Sequence, residues 1–186
     1  MQEKTEMKYL VISDIHGAFH GVQLMLDAYS HHHCNWILCL GDVLYHGPRN
    51  DVPADYAPKK VIEIMNGVKD HITAVRGNCE AEVDQMVLEF PCMSDSNTIF
   101  LNQRRVFMSH GHVYAPDHLP ALNDGDVFLS GHTHIPTAEI KDGMFFCNPG
   151  SASLPKGGYP CSYGILDEHG FAVYDASHQI IMKIRF

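Results

Sequence analysis

The feature that most constrains the fold of this sequence is an apolar run that ends abruptly in potential metal ligands. Residues 10–12, Leu-Val-Ile, are followed by Ser-Asp-Ile-His-Gly, which places Asp14 and His16 just beyond a predicted buried strand. Because residues two apart on a strand point to the same side, we expect both side chains to face one place. Open α/β sheets bind their ligands at this carboxyl edge, and a carboxylate beside an imidazole suits a divalent metal ion.

The same arrangement recurs at four further predicted strands. Each polar residue has a structural alternative by itself, because an Asp after a strand often caps a helix, an Asn makes a turn, and a lone His bonds to the backbone. Five such coincidences at five strand ends are hard to attribute to packing, and together they predict a metal centre. The four strands and the residues after them are 36–40 with Asp42, 72–75 with Asn78, 104–109 with His110, and 126–130 with His132 and His134.

The order of the predicted elements indicates an α/β fold. Buried strands alternate with helices in the first half of the chain, which predicts parallel βαβ units, whereas mostly antiparallel strands follow. Asp142-Gly143 predicts a type I′ hairpin, and residues 116–122 predict a short helix. The 186 residues, 45% of them apolar, suffice for one large core. No linker or repeat interrupts them, so we expect a single domain over residues 1–186.

Charge and cysteine content restrict the partners and the compartment. The net charge is −9, from 22 acidic and 13 basic residues with His counted as neutral. A general nucleic-acid binder needs a basic face, so we expect no stable nucleic-acid complex. The six cysteines form no Cys-x-x-Cys pair, and we find neither a signal peptide nor a membrane-length apolar run. We therefore expect a cytoplasmic protein with reduced thiols and no membrane association.

The number of candidate ligands predicts two metal ions. Seven ligands exceed what one ion binds, and a carboxylate can bridge two ions held about 3.5–4 Å apart. The donors are nitrogen and oxygen without thiolate, which leaves manganese, iron, zinc, nickel and cobalt as alternatives. Such a pair generates hydroxide near neutral pH and neutralises phosphoryl oxygens during in-line attack.

The ordered motifs resemble those of the calcineurin-like metallophosphoesterase superfamily. The motifs are Asp14-x-His16, Gly41-Asp42, Gly77-Asn78, His110 and Gly131-His132-x-His134. Four further stretches resemble the small bacterial YfcE-type phosphodiesterases and extend the likeness to nearly the whole chain. These stretches are residues 46–50, 76–79, 148–151 and 155–158.

This resemblance implies a four-layer α/β/β/α sandwich of two mixed sheets and hydrolysis of a small phosphodiester substrate. It implies two divalent ions, with Mn²⁺ preferred over Zn²⁺, Fe²⁺, Ni²⁺ or Co²⁺, and it makes Asp42 the bridging ligand. The oligomeric state stays open, with a homo-oligomer as one alternative. The implied ligands are Asp14, His16 and His134 for the first ion, and Asn78, His110 and His132 for the second.

Cys79 departs from the pattern of the wider superfamily. The usual motif, Gly-Asn-His followed by an acid, has a histidine that stabilises or protonates the leaving group, whereas this chain has Gly77-Asn78-Cys79-Glu80. A neutral thiol with a pKa of about 8.5 is a poorer acid than imidazolium. Cys79 is therefore either a catalytic residue with Asp42 and Asn78 or a small residue at the strand exit. We expect Glu80 to orient a ligand.

Arg76 is a further candidate catalytic residue, because one residue before the Gly-Asn pair it could hold a phosphoryl oxygen. Two alternatives to a phosphodiesterase remain. A phosphomonoesterase is less favoured because of Cys79, and a protein-binding scaffold on the same fold, as in a retromer subunit, is less favoured because every ligand position is filled.

Overall fold

The computed structural model describes residues 6–186, which form two mixed β-sheets with three α-helices. The helices and strands are β1 (Tyr9–Ile12), α1 (Phe19–His31), β2 (Trp36–Cys39), α2 (Pro58–Gly67), a 3₁₀ turn (Lys69–His71), β3 (Ile72–Ala74), α3 (Glu82–Val87), β4 (Ser96–Leu101), β5 (Arg104–Ser109), β6 (Val127–Leu129), β7 (Thr137–Lys141), β8 (Met144–Asn148), β9 (Ser162–Asp167), β10 (Gly170–Asp175) and β11 (Ile180–Arg185).

Each sheet combines three parallel strands with antiparallel ones. The first sheet has the order β11-β10-β9-β1-β2-β3, with β1, β2 and β3 parallel and β9 to β11 antiparallel. The second has the order β4-β5-β6-β8-β7, with β5, β6 and β8 parallel and antiparallel strands at both edges. Within each sheet, the strands that precede the candidate ligands therefore end at the same edge.

Alternating side chains of β1 separate two cores. Leu10 and Ile12 pack in a cluster with buried residues of α1 and α2, so these helices cover the outer face of the first sheet. Val11 packs with Val106 and Val127 of the second sheet, so the two sheets lie face to face. This alternation follows the two-residue period of a strand that is buried on both faces. The predicted α/β sandwich of two mixed sheets is confirmed.

The predicted helix over residues 116–122 is wrong. Turns occupy this segment, and Ala115 and His118 exchange backbone hydrogen bonds of 3.3 and 2.8 Å. Pro120 disfavours a helical conformation of the residue before it, which stops a helix within one turn of its start. All helices of residues 6–186 consequently precede β4, and none of these helices is long and apolar enough to cross a membrane.

Candidate metal centre

The seven predicted ligands come together where their strands end, but not through strand alternation. β1 stops at Ile12, and Asp14 and His16 lie in the following loop with φ angles of +56° and +51°. The expectation that a strand aligns these two side chains was therefore wrong. Left-handed backbone turns at both residues direct them into the same space.

Five of the seven ligand residues have this left-handed conformation. Asp42 has φ +55°, and His132 and His134 have +67° and +60°. Each non-glycine residue in this region costs about 1–2 kcal/mol, so the surroundings must hold it there. The backbone N–H groups of Asp14 and His16 donate to the carbonyls of Gly41 and Asp42 at 3.1 and 2.9 Å. These bonds fasten the loop after β1 to the loop after β2.

One side of the centre contains Asp14, His16 and His134. The Nε2 atom of His134 lies 3.2 Å from Asp14 Oδ1 and 3.2 Å from the Nε2 atom of His16. All three residues are buried. This is the set that the family resemblance assigns to a first ion.

The other side contains Asn78, His110 and His132. The Nε2 atom of His110 lies 3.2 Å from Asn78 Oδ1 and 3.2 Å from His132 Nδ1. Asp42 stands between the two sides, because its Oδ2 atom is 3.7 Å from His16 Nε2 and 3.5 Å from His110 Nε2. The carboxylate of Asp42 can therefore reach ions on both sides.

The hydrogen bonds of three histidines turn their Nε2 atoms towards the centre, in the orientation that binds a cation. The Nδ1 atoms of His16, His110 and His134 contact the backbone carbonyls of Tyr45, Leu40 and Leu154 at 2.8, 2.7 and 2.5 Å. A carbonyl only accepts, so each Nδ1 carries a proton, and a ring that is neutral, as a metal ligand must be, directs its Nε2 lone pair into the centre.

The Nε2 atoms of His16 and His134 lie 3.2 Å apart. If both rings are neutral, two lone pairs face each other there and no hydrogen bond can form. The Oδ1 atom of Asp14 is buried without a hydrogen-bond partner. Cations bound among these atoms would accept the lone pairs of the two imidazoles and would partner Asp14 Oδ1. The donor set therefore fits divalent metals.

The charges of the centre also favour a cation. Burial by itself lowers the pKa of His110, but the carboxylates of Asp14 and Asp42 outweigh it and raise this pKa to about 9. Burial likewise raises the pKa of Asp14, but the charge of His110 and contacts with His134 and His16 hold it well below its usual value. The carboxylates thus remain ionised and attract positive charge.

Glu80 connects two of the ligand loops. Its Oε2 atom accepts hydrogen bonds from the backbone N–H groups of Asp42 at 2.9 Å and Gly77 at 2.5 Å, and its Oε1 atom accepts from Val43 at 2.6 Å. Burial and the nearby charge of Asp42 raise the pKa of Glu80 to about 6. The side chain of Glu80 therefore holds Asp42 in place through the backbone.

Glycines allow these loops to approach one another. A Cβ atom on Gly77 would lie 2.0 Å from Asp42 Oδ1, and one on Gly131 would lie 1.9 Å from the hydroxyl of Ser13. Real side chains do not make such contacts, so the Gly-Asn and Gly-His pairs of the sequence are steric requirements of the centre.

With the geometry established, similarity to known proteins decides the family. The model of the calcineurin-like phosphoesterase superfamily domain matches residues 7–170. The chain belongs to the calcineurin-like phosphoesterase superfamily. Membership implies divalent metal ions, which the donor set fits.

Individual relatives support this placement. The phosphodiesterase YfcE of Escherichia coli K12 is 47% identical over 176 residues, which is 95% of this chain and 96% of the relative. A solved structure of YfcE, described as a phosphoesterase from E. coli, has a TM-score of 0.94 and 46% identity and covers 96% of this chain and 99% of its own. The likeness to Vps29 of Cryptosporidium parvum is in fold alone, with a TM-score of 0.66 and 18% identity over 97% of this chain and 99% of the other.

One of the YfcE-like stretches, residues 148–151, holds two ligand loops of this phosphoesterase. The Nδ2 atom of Asn148 donates to the carbonyl of Gly131 at 2.8 Å, and the hydroxyl of Ser151 donates to the carbonyl of Asp14 at 2.8 Å. Both side chains are buried. This stretch therefore holds Gly131 and Asp14, which belong to two different ligand loops, in place through hydrogen bonds.

A narrow cleft opens onto the phosphoesterase centre, and sequence reasoning missed one of its cations. Asp42, Asn78 and Cys79 line it together with Arg49 and Lys156. Lys156 was not among the sequence-based candidates, although it lies in a YfcE-like stretch. The backbone N–H of Lys156 bonds to the carbonyl of His134 at 3.1 Å, which fixes it beside the ligands.

The structure places the remaining two catalytic candidates differently. The guanidinium of Arg76 is bound to Asp95 Oδ1, at 2.9 Å from Nε and 2.5 Å from Nη2, and does not line the cleft. Cys79 does line it, half-buried, and burial followed by the charge of Asp42 raises the pKa of its thiol. A neutral thiol is thus expected in the cleft. Catalytic roles for Arg76 and Cys79 stay predictions.

Proposed function

We propose that this protein is a metal-dependent phosphodiesterase that uses two divalent ions, with Mn²⁺ the preferred metal. The observation that carries the proposal is the ligand set on both sides of Asp42, in which imidazole lone pairs and a buried carboxylate oxygen converge. The 47% identity to the E. coli phosphodiesterase YfcE supports a diester as substrate. The assignment of Asp14, His16 and His134 to one ion and of Asn78, His110 and His132 to the other is part of this proposal.

Two ions bound there would supply a hydroxide nucleophile at neutral pH and neutralise phosphoryl oxygens. The chain's own residues do the rest. His16, His110 and His134 are held in one orientation by their Nδ1 hydrogen bonds to the backbone. Arg49 and Lys156 place two positive charges in the cleft and can bind a phosphate diester anion.

The small neutral thiol of Cys79 supports a diester as substrate. Its volume is smaller than that of imidazole, which leaves room for the second ester substituent. The six cysteines are all free thiols, which supports the proposed cytoplasmic location. We propose a small phosphodiester as the substrate and no nucleic-acid complex.

A hydrolysis screen tests the proposal. We expect bis(4-nitrophenyl) phosphate to be hydrolysed faster than 4-nitrophenyl phosphate in the presence of Mn²⁺, with Zn²⁺, Ni²⁺, Co²⁺ and Fe²⁺ compared. Asp42→Asn should lose at least about 100-fold in rate, since even groups behind the ligands contribute 10–100-fold. Asp70→Asn, at an exposed acid outside the centre, is the control. Faster monoester hydrolysis would identify a phosphomonoesterase, and equal rates for Asp42→Asn and wild type would reject the two-metal centre.

A further inference from the structure

The cleft at the metal centre is too small for a whole diester. Its volume is about 30 Å³, which is about two to three times what one water molecule needs on the same measure. A phosphodiester carries two ester substituents besides its phosphoryl group. At least one substituent must therefore lie outside the cleft.

An apolar pocket adjoins the cleft and shares the wall formed by Cys79. It has a volume of about 380 Å³, within the range of small-molecule sites. Cys79 lines both spaces, so the side chain that replaces the family's histidine is also the boundary between the phosphate cleft and this pocket. The remaining wall includes Tyr45, Tyr56, Ile62, Val83 and Val87.

The pocket is fixed relative to the metal centre. The backbone carbonyl of Tyr45 accepts the Nδ1 hydrogen bond of His16 at 2.8 Å, so one residue serves both sites. The opposite wall is α3, where Asp84 accepts a hydrogen bond from the backbone N–H of Ala81 at 3.0 Å and closes the first turn. A group bound in the pocket is thus held at a set position from the reacting phosphate.

The pocket leaves apolar surface exposed beside the centre. Tyr45 is 43% exposed, Val83 57% and Val87 37%. Contiguous exposed apolar surface at a concave site is typical of ligand binding. Two tyrosine rings among aliphatic side chains match a flat aromatic group, which packs favourably against other rings.

We propose that this pocket binds an aromatic ester substituent of the phosphodiester, and that the enzyme prefers aryl over small alkyl diesters. The inference rests on the proposed function for the position of the phosphate. The competing occupant is a second copy of the chain, because exposed apolar surface also forms contacts between subunits.

Binding of two unreactive diesters to the Mn²⁺-loaded protein tests the pocket separately from catalysis. Isothermal titration calorimetry compares diphenyl phosphate with dimethyl phosphate, which share the phosphate and its charge. Partial burial of a phenyl ring predicts affinity for diphenyl phosphate about tenfold higher in the wild type. Val83→Asn and Val87→Asn should reduce this ratio towards one. Ile140→Asn should retain it, because Ile140 is 59% exposed like Val83 but lies on β7 outside the pocket.

The possible outcomes distinguish a failure of the pocket proposal from a failure of the proposed phosphodiesterase function. Equal affinities in the wild type, or a ratio that both pocket variants retain, would overturn the proposal. A lower molecular mass of Val83→Asn by light scattering, with an unchanged ratio, would overturn it in favour of a subunit contact. A tenfold ratio that Val83→Asn abolishes, in a protein that hydrolyses no phosphodiester, would support the pocket and reject the phosphodiesterase function.

Discussion

Gly77→Ala would place a methyl group inside the contact that positions Asp42. The added Cβ atom would lie 2.0 Å from Asp42 Oδ1, 2.5 Å from the backbone nitrogen of Asp42 and 2.7 Å from Glu80 Oε2. An ordinary carbon–oxygen contact is about 3.3 Å, so the carboxylate and the methyl group must separate by about 1.3 Å. The backbone nitrogen of Asp42, at 2.5 Å, is also closer than any ordinary contact, and rotation of the Asp42 side chain alone therefore cannot relieve the clash.

The expected effects are larger on the centre than on the fold. Overpacking of this kind costs about 1–3 kcal/mol of unfolding free energy. A misplacement of about 1 Å in a reacting site can cost about 100-fold in rate, and a separation of about 1.3 Å would shift the Asp42 carboxylate by an amount of this order. We expect Gly77→Ala to lose about 100-fold in diesterase rate and to bind Mn²⁺ more weakly.

Gly67→Ala is the matched control for this substitution. Gly67 ends α2, and a Cβ atom there would meet nothing within 4 Å. The same change should therefore stabilise the protein by about 0.5–1 kcal/mol and leave the rate unchanged. Urea denaturation, Mn²⁺ calorimetry and the diesterase rate measure all three effects. Gly77→Ala with wild-type Mn²⁺ affinity and rate would refute the argument that Gly77 sets the position of Asp42.

Four further predictions follow from the site and the fold. Elemental analysis of His132→Ala and of His134→Ala should each find about one metal ion instead of two, because their ring nitrogens lie on opposite sides of the centre. Loss of both ions in either variant would contradict this expectation. Chelation should abolish hydrolysis and leave the far-ultraviolet circular dichroism unchanged, because the two large cores do not involve the ligands. Cys79→His should raise the rate by up to about 100-fold for alkoxide leaving groups and little for nitrophenolate, and an unchanged dependence on leaving-group pKa would count against it. Burial and then the neighbouring histidines lower the pKa of His32 from 6.5 to about 4, so only the unfolded chain gains this proton between those pH values. Stability should therefore decrease as pH falls below 6.5, and urea midpoints at pH 7 and pH 5 should differ less in His32→Gln.

The class of the fold and the identity of the candidate ligands could be predicted from the amino-acid sequence. Both depend on local order along the chain. The two-residue and helical periods place the buried strands, and the polar residues after each apolar run mark where those strands end. The hairpin at residues 142–143 was equally local, because both residues adopt positive φ as the Asp-Gly pair predicts.

The way in which the candidate ligands meet, and the residues that surround them, depend on long-range packing and were not predictable from the sequence. The sequence pattern predicted that Asp14 and His16 face the same side of a strand. In the structure, left-handed turns direct both side chains to one place, and hydrogen bonds to the loop after β2 hold these turns. The ion pair of Arg76 with Asp95, the place of Lys156 in the cleft and the apolar pocket behind Cys79 could not be predicted either. Each depends on contacts between residues about 20 or more positions apart, whose geometry is set by the packing of two sheets and not by any local pattern.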